Sequence, residues 1–288
     1  MIRAALLGLT ALLSIGATAP QSSTPADAPV AWHTATAPFP VAGPIYYVGT
    51  EGIAVYLIRT RDGLILLDGG LEENVSLVAQ SIRTLGFDPR DVKLMIATHA
   101  HYDHVAALAG LKRLTGARFL ASTGDRQAYE TGTPPSDTNY GVIRFPAVHV
   151  DGTVIDGRAV SLGGVTLTPV LTPGHTPGCT SWRMMVSDQG HRRDVLFLCS
   201  ITVAGNRLVR NKGYPGIVAD FRRTFAKLRP VHADIVLPGH AEQADIMGKA
   251  RRRAAGERDA FIDASLLPRL VRESQLAFDA ELAKQQAR

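Results

Sequence analysis

Apolar and polar positions alternate in short blocks along most of the chain. From Ile45 onward the β-branched runs IYYVG, IAVYLIR and LILLD predict three successive strands, the last two joined by a hairpin at Arg61-Asp62-Gly63. Residues 73–86 carry Val75, Val78, Ile82 and Leu85 at helical spacing and precede the run VKLMIAT at 92–98, so the unit is strand, helix, strand. Asp103 to Leu114 predicts a second helix, with Val105, Leu108, Leu111 and Leu114 on one face, and ARFLAS at 117–122 predicts the next strand. Strands are expected near 158–171, 179–187 and 193–199, then a helix at 216–228, a strand at 233–237 and helices from 241 and from 268. The stretch 131–146, TGTPPSDTNYGVIRFP, has turn chemistry throughout and is long for a plain connection, which marks a candidate functional loop. Two β-rich halves, each flanked by helices, predict an α/β protein with sheets face to face and helices outside, an αββα sandwich, in one domain over 37–288.

The first nineteen residues, MIRAALLGLTALLSIGATA, depart from this alternation. One Arg, an apolar stretch from Ala4 to Ile15 and a small-residue end make the pattern of a secretory signal, with cleavage at Ala17-Thr18-Ala19 or within Ser14 to Gly16. The expected destination is the periplasm. A buried N-terminal helix is the alternative, but nothing polar alternates in the run to give it a wet face. Residues 20–36 are a Pro/Ser/Ala-rich lead-in with little packing power.

Composition narrows the classes. With 288 residues, 45% hydrophobic and 20% charged, the chain is excluded from wholesale disorder, and after residue 20 no apolar run is long enough to span a bilayer. Its 31 basic and 26 acidic residues leave a mild +5. Arg222-Arg223 and Arg251-Arg252-Arg253 lie in helical stretches without the interleaved aromatics that base stacking requires, so no nucleic-acid partner is expected.

The chemistry concentrates at Thr98-His99-Ala100-His101-Tyr102-Asp103-His104, where an apolar strand ends and a helix begins. Residues two apart point to the same side of an extended chain, so His99 and His101 can grip one ion, while Asp103 and His104 open the helix and can face a second. Imidazole nitrogen mixed with one carboxylate oxygen suits zinc better than magnesium or cuprous ion. Two more histidines, in Pro173-Gly174-His175-Thr176-Pro177-Gly178 and Leu237-Pro238-Gly239-His240-Ala241, each follow an apolar strand with glycine at the shoulder, which lets backbone approach an ion closely. Together they complete two three-ligand sites, each with room for water.

The run HAHYDH, followed by GHTPG and a late GH, resembles the metallo-β-lactamase superfamily over nearly the whole mature chain. The resemblance implies the αββα fold, His99, His101 and His175 on a first zinc, and Asp103, His104 and His240 on a second. Asp68, ending LILLDGG, matches the family's buried carboxylate that supports the ligand loop; a simple strand-to-turn Asp is the other reading. Glyoxalase-like thioesterases, lactonases and several nucleases of this superfamily carry a second Asp after a later strand that bridges the metals. Here the corresponding strand DVLFLC runs into Ser200, and that departure favours a β-lactamase. The commonest broad-spectrum subclass has Arg after the motif Asp and a Cys where Ser200 falls; with His104 as the replacement ligand, the pattern matches subclass B3. The stretches GIAVYLI, THAHYDH, TPGHTPGCTSW and FLCSITVAGNRL carry that likeness.

What the resemblance implies is a monomeric enzyme that opens β-lactam antibiotics with a zinc-activated water, Asp103 orienting the nucleophile and Ser200 and Thr202 meeting the substrate carboxylate. Other binuclear-zinc hydrolysis, of lactones or thioesters, is the alternative. Tyr140, Val142 and Ile143 of the 131–146 loop are expected to offer apolar contact to the substrate, Arg207 and Arg210 to attract anions, and Trp32 either to cap the site or to anchor the lead-in. His33, His149, His191 and His232 lack motif context and are expected at the surface or in structural roles. Cys199 is one residue early for a thiolate ligand. A hairpin centred on Gln189 sets Cys179 and Cys199 opposite each other, ten residues from the turn on either side, which leaves open a cross-strand disulfide or two buried thiols.

Overall fold

The computed structural model describes Pro25 and residues 28–288; the expected signal at 1–19 and the start of the lead-in lie outside the described residues. Twelve strands and eight α-helices are described. The strands are β1 Phe39–Ala42, β2 Ile45–Tyr47, β3 Tyr56–Thr60, β4 Gly63–Leu67, β5 Val92–Ile96, β6 Arg118–Ser122, β7 Gly152–Val154, β8 Val160–Leu162, β9 Val165–Leu171, β10 Thr180–Asp188, β11 His191–Leu198 and β12 Ile235–Pro238. The helices are α1 Val30–His33, α2 Asn74–Thr84, α3 Tyr102–Val105, α4 Leu108–Thr115, α5 Thr123–Thr131, α6 Ile217–Leu228, α7 Ile246–Ala254 and α8 Leu266–Gln286.

Strands β1 to β7 lie in sequence order in one sheet, antiparallel as far as β4 and parallel from β4 to β7. The second sheet runs β12-β11-β10-β9-β8, with only the β11–β12 pair parallel. Period-two alternation assigns the faces. Ile58, Ile65, Leu67 and Ile96 join Trp182 and Phe197 in the core between the sheets, whereas Leu57, Leu64, Leu66 and Met95 pack outward with α2 and α4. The αββα sandwich follows. Across the seam the Tyr56 hydroxyl donates to the Pro238 carbonyl at 2.9 Å, tying β3 to β12 just below His240. Tyr56→Phe removes that buried hydrogen bond, and chemical denaturation is expected to show a loss of about 1 kcal/mol.

Three local expectations are corrected. The single helix over 103–114 is two, α3 and α4, because the His104 carbonyl accepts the Gly69 and Gly70 amides at 2.8 and 2.9 Å, and a tertiary contact thus takes up the acceptor at the break. The β10–β11 hairpin is centred between Gln189 and Gly190, with Asp188 opposite His191, so by count Cys179 faces Ser200 and not Cys199. Both turn residues have positive φ, 52° and 83°, the geometry that two-residue hairpin turns favour. Cys179 and Cys199 are nevertheless disulfide-bonded, on a diagonal with Cα atoms 5.9 Å apart, just beyond the ends of their strands. The lead-in also packs more than its composition suggests. The Gly52 amide donates to the Ala31 carbonyl at 2.8 Å and the Glu51 amide to the Thr34 carbonyl at 2.9 Å, which seats α1 beside the strand ends.

Candidate metal centre

All the motif histidines leave the same edge of the sandwich. His99, His101 and His104 follow β5, His175 follows β9 and His240 follows β12, so the loops that carry them converge on one end of the two sheets. Two groups result, His99/His101/His175 and Asp103/His104/His240, each with its donor atoms within 4.8 Å of one another.

In the first group His175 Nε2 lies 3.1 Å from His99 Nε2 and 3.0 Å from His101 Nδ1. The tautomers follow from the outer nitrogens. His175 Nδ1 must donate to the Thr202 carbonyl at 2.8 Å. The Thr98 hydroxyl donates to Asp68 Oδ2 at 2.8 Å, so His99 Nδ1, 3.0 Å from that hydroxyl, must donate to it. Both Nε2 atoms are then bare lone pairs facing each other across 3.1 Å. Burial first, then the neighbouring imidazoles, holds His99 and His175 well below the usual histidine range, and burial pushes His101 down to about 4. Neutral lone pairs converging among buried side chains repel one another unless a cation sits between them. Their spacing fits one, since tetrahedral zinc with bonds of 2.0–2.1 Å has ligand atoms about 3.3 Å apart.

The second group is charged. Asp103 Oδ2 lies 3.1 Å from His104 Nε2 and 3.4 Å from His240 Nε2, and the two imidazole nitrogens are 3.2 Å apart. Burial pushes the Asp103 carboxyl up, but the His104 charge and the hydrogen bonds from His104 and His240 outweigh it and hold the group well below the usual carboxylate range. Burial likewise disfavours a charged His104, yet Asp103 and Asp68 together draw its pKa upward. Asp68 lies beneath, fully buried and in a left-handed backbone conformation with φ 62°. Its Oδ1 accepts the Thr98 amide at 2.7 Å, its Oδ2 is 3.7 Å from His104 Nδ1, and burial raises its carboxyl to about 6. The chain thus places Asp68 under the ligand loop.

A cavity of about 600 Å³ opens over both groups. His101, Asp103, His175 and His240 form its floor, Thr202 its rim, and Trp32, Tyr140 and Ile143 its walls. Trp32, from α1, lies with its ring centroid 5.3 Å from that of His240 and so caps the site. Ser200 does not reach the cavity; it is buried behind Thr202, the two hydroxyl oxygens 3.0 Å apart. Val142, Arg207 and Arg210 are exposed and do not line it either. His33 is at the surface against Glu73, and His149, His191 and His232 are exposed or nearly so, away from the cavity. Two buried residues that sequence reasoning passed over hold the ligand loops: Asn206, whose Nδ2 donates to the His175 carbonyl at 3.1 Å, and Asp125 on α5.

Fold and site together define a metallo-hydrolase architecture. Residues 48–240 match the metallo-beta-lactamase superfamily, and the chain belongs to that superfamily. Among solved structures it is similar to BJP-1, a subclass B3 metallo-beta-lactamase of Bradyrhizobium japonicum, at 43% identity and a TM-score of 0.85, covering 89% of this chain and 97% of that one. It is also similar to the FEZ-1 metallo-beta-lactamase from Legionella gormanii, at 35% identity and a TM-score of 0.83 over 88% of this chain and 98% of that one. Curated relatives include a hydroxyacylglutathione hydrolase of Rhodospirillum rubrum, 28% identical over 50% of this chain and 47% of its own length. An N-acyl homoserine lactonase of Agrobacterium fabrum is 30% identical over 57% of this chain and 63% of its own length. The match therefore spans about half of the first of these relatives and less than two thirds of the second.

Proposed function

We propose that the chain is a subclass B3 β-lactamase that hydrolyses penicillins, cephalosporins and carbapenems and so confers resistance to them, with 37–288 as its catalytic domain and 1–19 directing export to the periplasm. The observation that carries the reading is the pairing of a three-imidazole group with an Asp/His/His group under one open cavity, where Ser200, not a bridging carboxylate, follows β11. The likeness to subclass B3 enzymes over nearly their full length supports it.

Zinc bound to the two groups supplies Lewis acidity and a water deprotonated near neutral pH. The residues of the chain do the rest. Asp103, held ionised, accepts a hydrogen bond from water and so orients it towards a lactam carbonyl lying on the cavity floor. Thr202, the hydroxyl at the rim, donates to the substrate's carboxylate, and Ser200 acts behind it by fixing that hydroxyl. Trp32, Tyr140 and Ile143 cover the apolar side chains of the antibiotic and keep bulk water from the reacting bond. The water oxygen bonds to the lactam carbon as the C–N bond breaks, one of the water's protons passes to the nitrogen and the other leaves the new carboxyl, and the amine stays tethered in the opened product, so no covalent link to the protein is needed.

The relatives that act on thioesters and lactones favour a second reading, hydrolysis of those esters at the same cavity. A parallel assay of a carbapenem and a glutathione thioester separates the two. Rapid carbapenem opening, abolished by a chelator and restored by zinc, is the expected result; thioester cleavage without lactam opening selects the second reading.

A further inference from the structure

We infer that Asp125 is the positioning residue for the His99/His101/His175 group, doing for that group what Asp68 does beneath His104. Asp125 is the third residue of α5 and is 1% exposed. None of the donors to its carboxylate belongs to its own helix. Oδ2 accepts the Ala100 amide at 3.0 Å and the Thr176 hydroxyl at 2.7 Å, and Oδ1 accepts the Gly178 amide at 2.7 Å. Ala100 is the residue between His99 and His101; Thr176 and Gly178 follow His175. A single carboxylate therefore clamps both loops that carry the three imidazoles.

The setting shows that this clamp is built in. Among the described residues no Arg or Lys offsets the charge; burial drives the carboxyl up to about 6, and the hydrogen bonds from Thr176, Ala100 and Gly178 pull against it. A buried carboxylate without a cationic partner is costly unless it is well hydrogen-bonded, and here both oxygens accept. Asparagine has the same shape but would turn an NH₂ towards a donor. The neighbouring backbone is committed to the same contact. Ser122, at the start of α5, donates its hydroxyl to the Gly178 carbonyl at 2.7 Å, and a Cβ on Gly178 would run into the Asp125 amide and Ser122 Oγ. The α5 N-terminus and the turn after His175 thus meet through backbone, with Asp125 as the pin. Among the described residues the hydrogen bonds to the Asp125 carboxylate come from Ala100, Thr176 and Gly178 and none from Asp103, His104 or His240, whereas His104 is held by Asp68 and by the Gly69 and Gly70 amides.

The inference rests on the proposed reading only in taking His99, His101 and His175 as metal ligands, and zinc affinity tests it whatever the substrate proves to be. Metal-free wild-type, Asp125→Asn and Thr176→Val proteins are titrated with zinc against a chromophoric chelator, and the cobalt-loaded forms are compared by their paramagnetically shifted imidazole protons. In Asp125→Asn one of two zinc affinities is expected to fall about 10–100-fold while the other stays within about threefold. The displaced resonances should be those of His99, His101 and His175, and Thr176→Val, which removes one of the three donors, should weaken the same site by less. Unchanged affinities in folded Asp125→Asn, or equal weakening of both sites, would overturn the assignment. If Asp125→Asn does not fold, Thr176→Val decides alone, and an unchanged first site in it likewise overturns the assignment. Absence of lactam opening by the wild-type protein would strike the proposed function and leave these affinities as they are.

Discussion

Replacement of Asp103 by asparagine is expected to lower lactam turnover by about 10²–10⁴-fold, the range seen when a group that manages a proton in the transition state is removed. Asparagine keeps the shape and one acceptor oxygen, so packing is preserved. What disappears is the charge that His104 and His240 face at 3.1 and 3.4 Å, and with it the acceptor that aligns water. Two effects add: weaker zinc binding at the second group and poor orientation of the nucleophile. Turnover measured at rising zinc separates them, since excess metal restores the first and leaves the second. Turnover at saturating zinc within a factor of about three of wild type would remove Asp103 from the chemistry.

The second large effect is on stability. Cys179 and Cys199 close a loop across a separation of 20 residues, and the disulfide lies between the turn after His175 and the strand end that leads to Ser200 and Thr202. Closing such a loop removes chain entropy from the unfolded state worth about 3 kcal/mol. The Cys179→Ala/Cys199→Ala protein should therefore melt roughly 6–12 °C below the oxidised wild type. The bond is fully buried, so mild reductant is expected to leave the native protein untouched and to lower its Tm only after unfolding in its presence. Equal melting of the double variant and the oxidised protein would show that the crosslink contributes nothing.

Much of the centre was legible because its ligands are local or punctuated. Three imidazoles and a carboxylate within six positions state a metal site by themselves, and His175 and His240 declare themselves by glycine after an apolar strand. The αββα architecture was equally open to reading, since strand and helix periods alternate cleanly through both halves. What stayed hidden depends on partners far along the chain. Asp125 sits in TGDRQAYET, a polar helix whose apolar side chains are only Ala128 and Tyr129, and its donors lie 25, 51 and 53 residues away. The break between α3 and α4 is invisible in a run with helical spacing because its cause, the Gly69 and Gly70 amides on the His104 carbonyl, comes from another loop. The hairpin register differs by one from the count centred on Gln189 because the turn takes two residues, Gln189 and Gly190. Trp32 could cap the site or anchor the lead-in by sequence; a four-residue helix held by Gly52 and Glu51 settles it over His240.

Lactam opening by this chain requires two cations, held side by side by His99, His101, His175, Asp103, His104 and His240. Zinc added stepwise to the metal-free protein while carbapenem hydrolysis is followed tests this most directly. Turnover should climb with added metal and level off at two equivalents per chain. Uptake of two equivalents with no carbapenem opened at any point would contradict it.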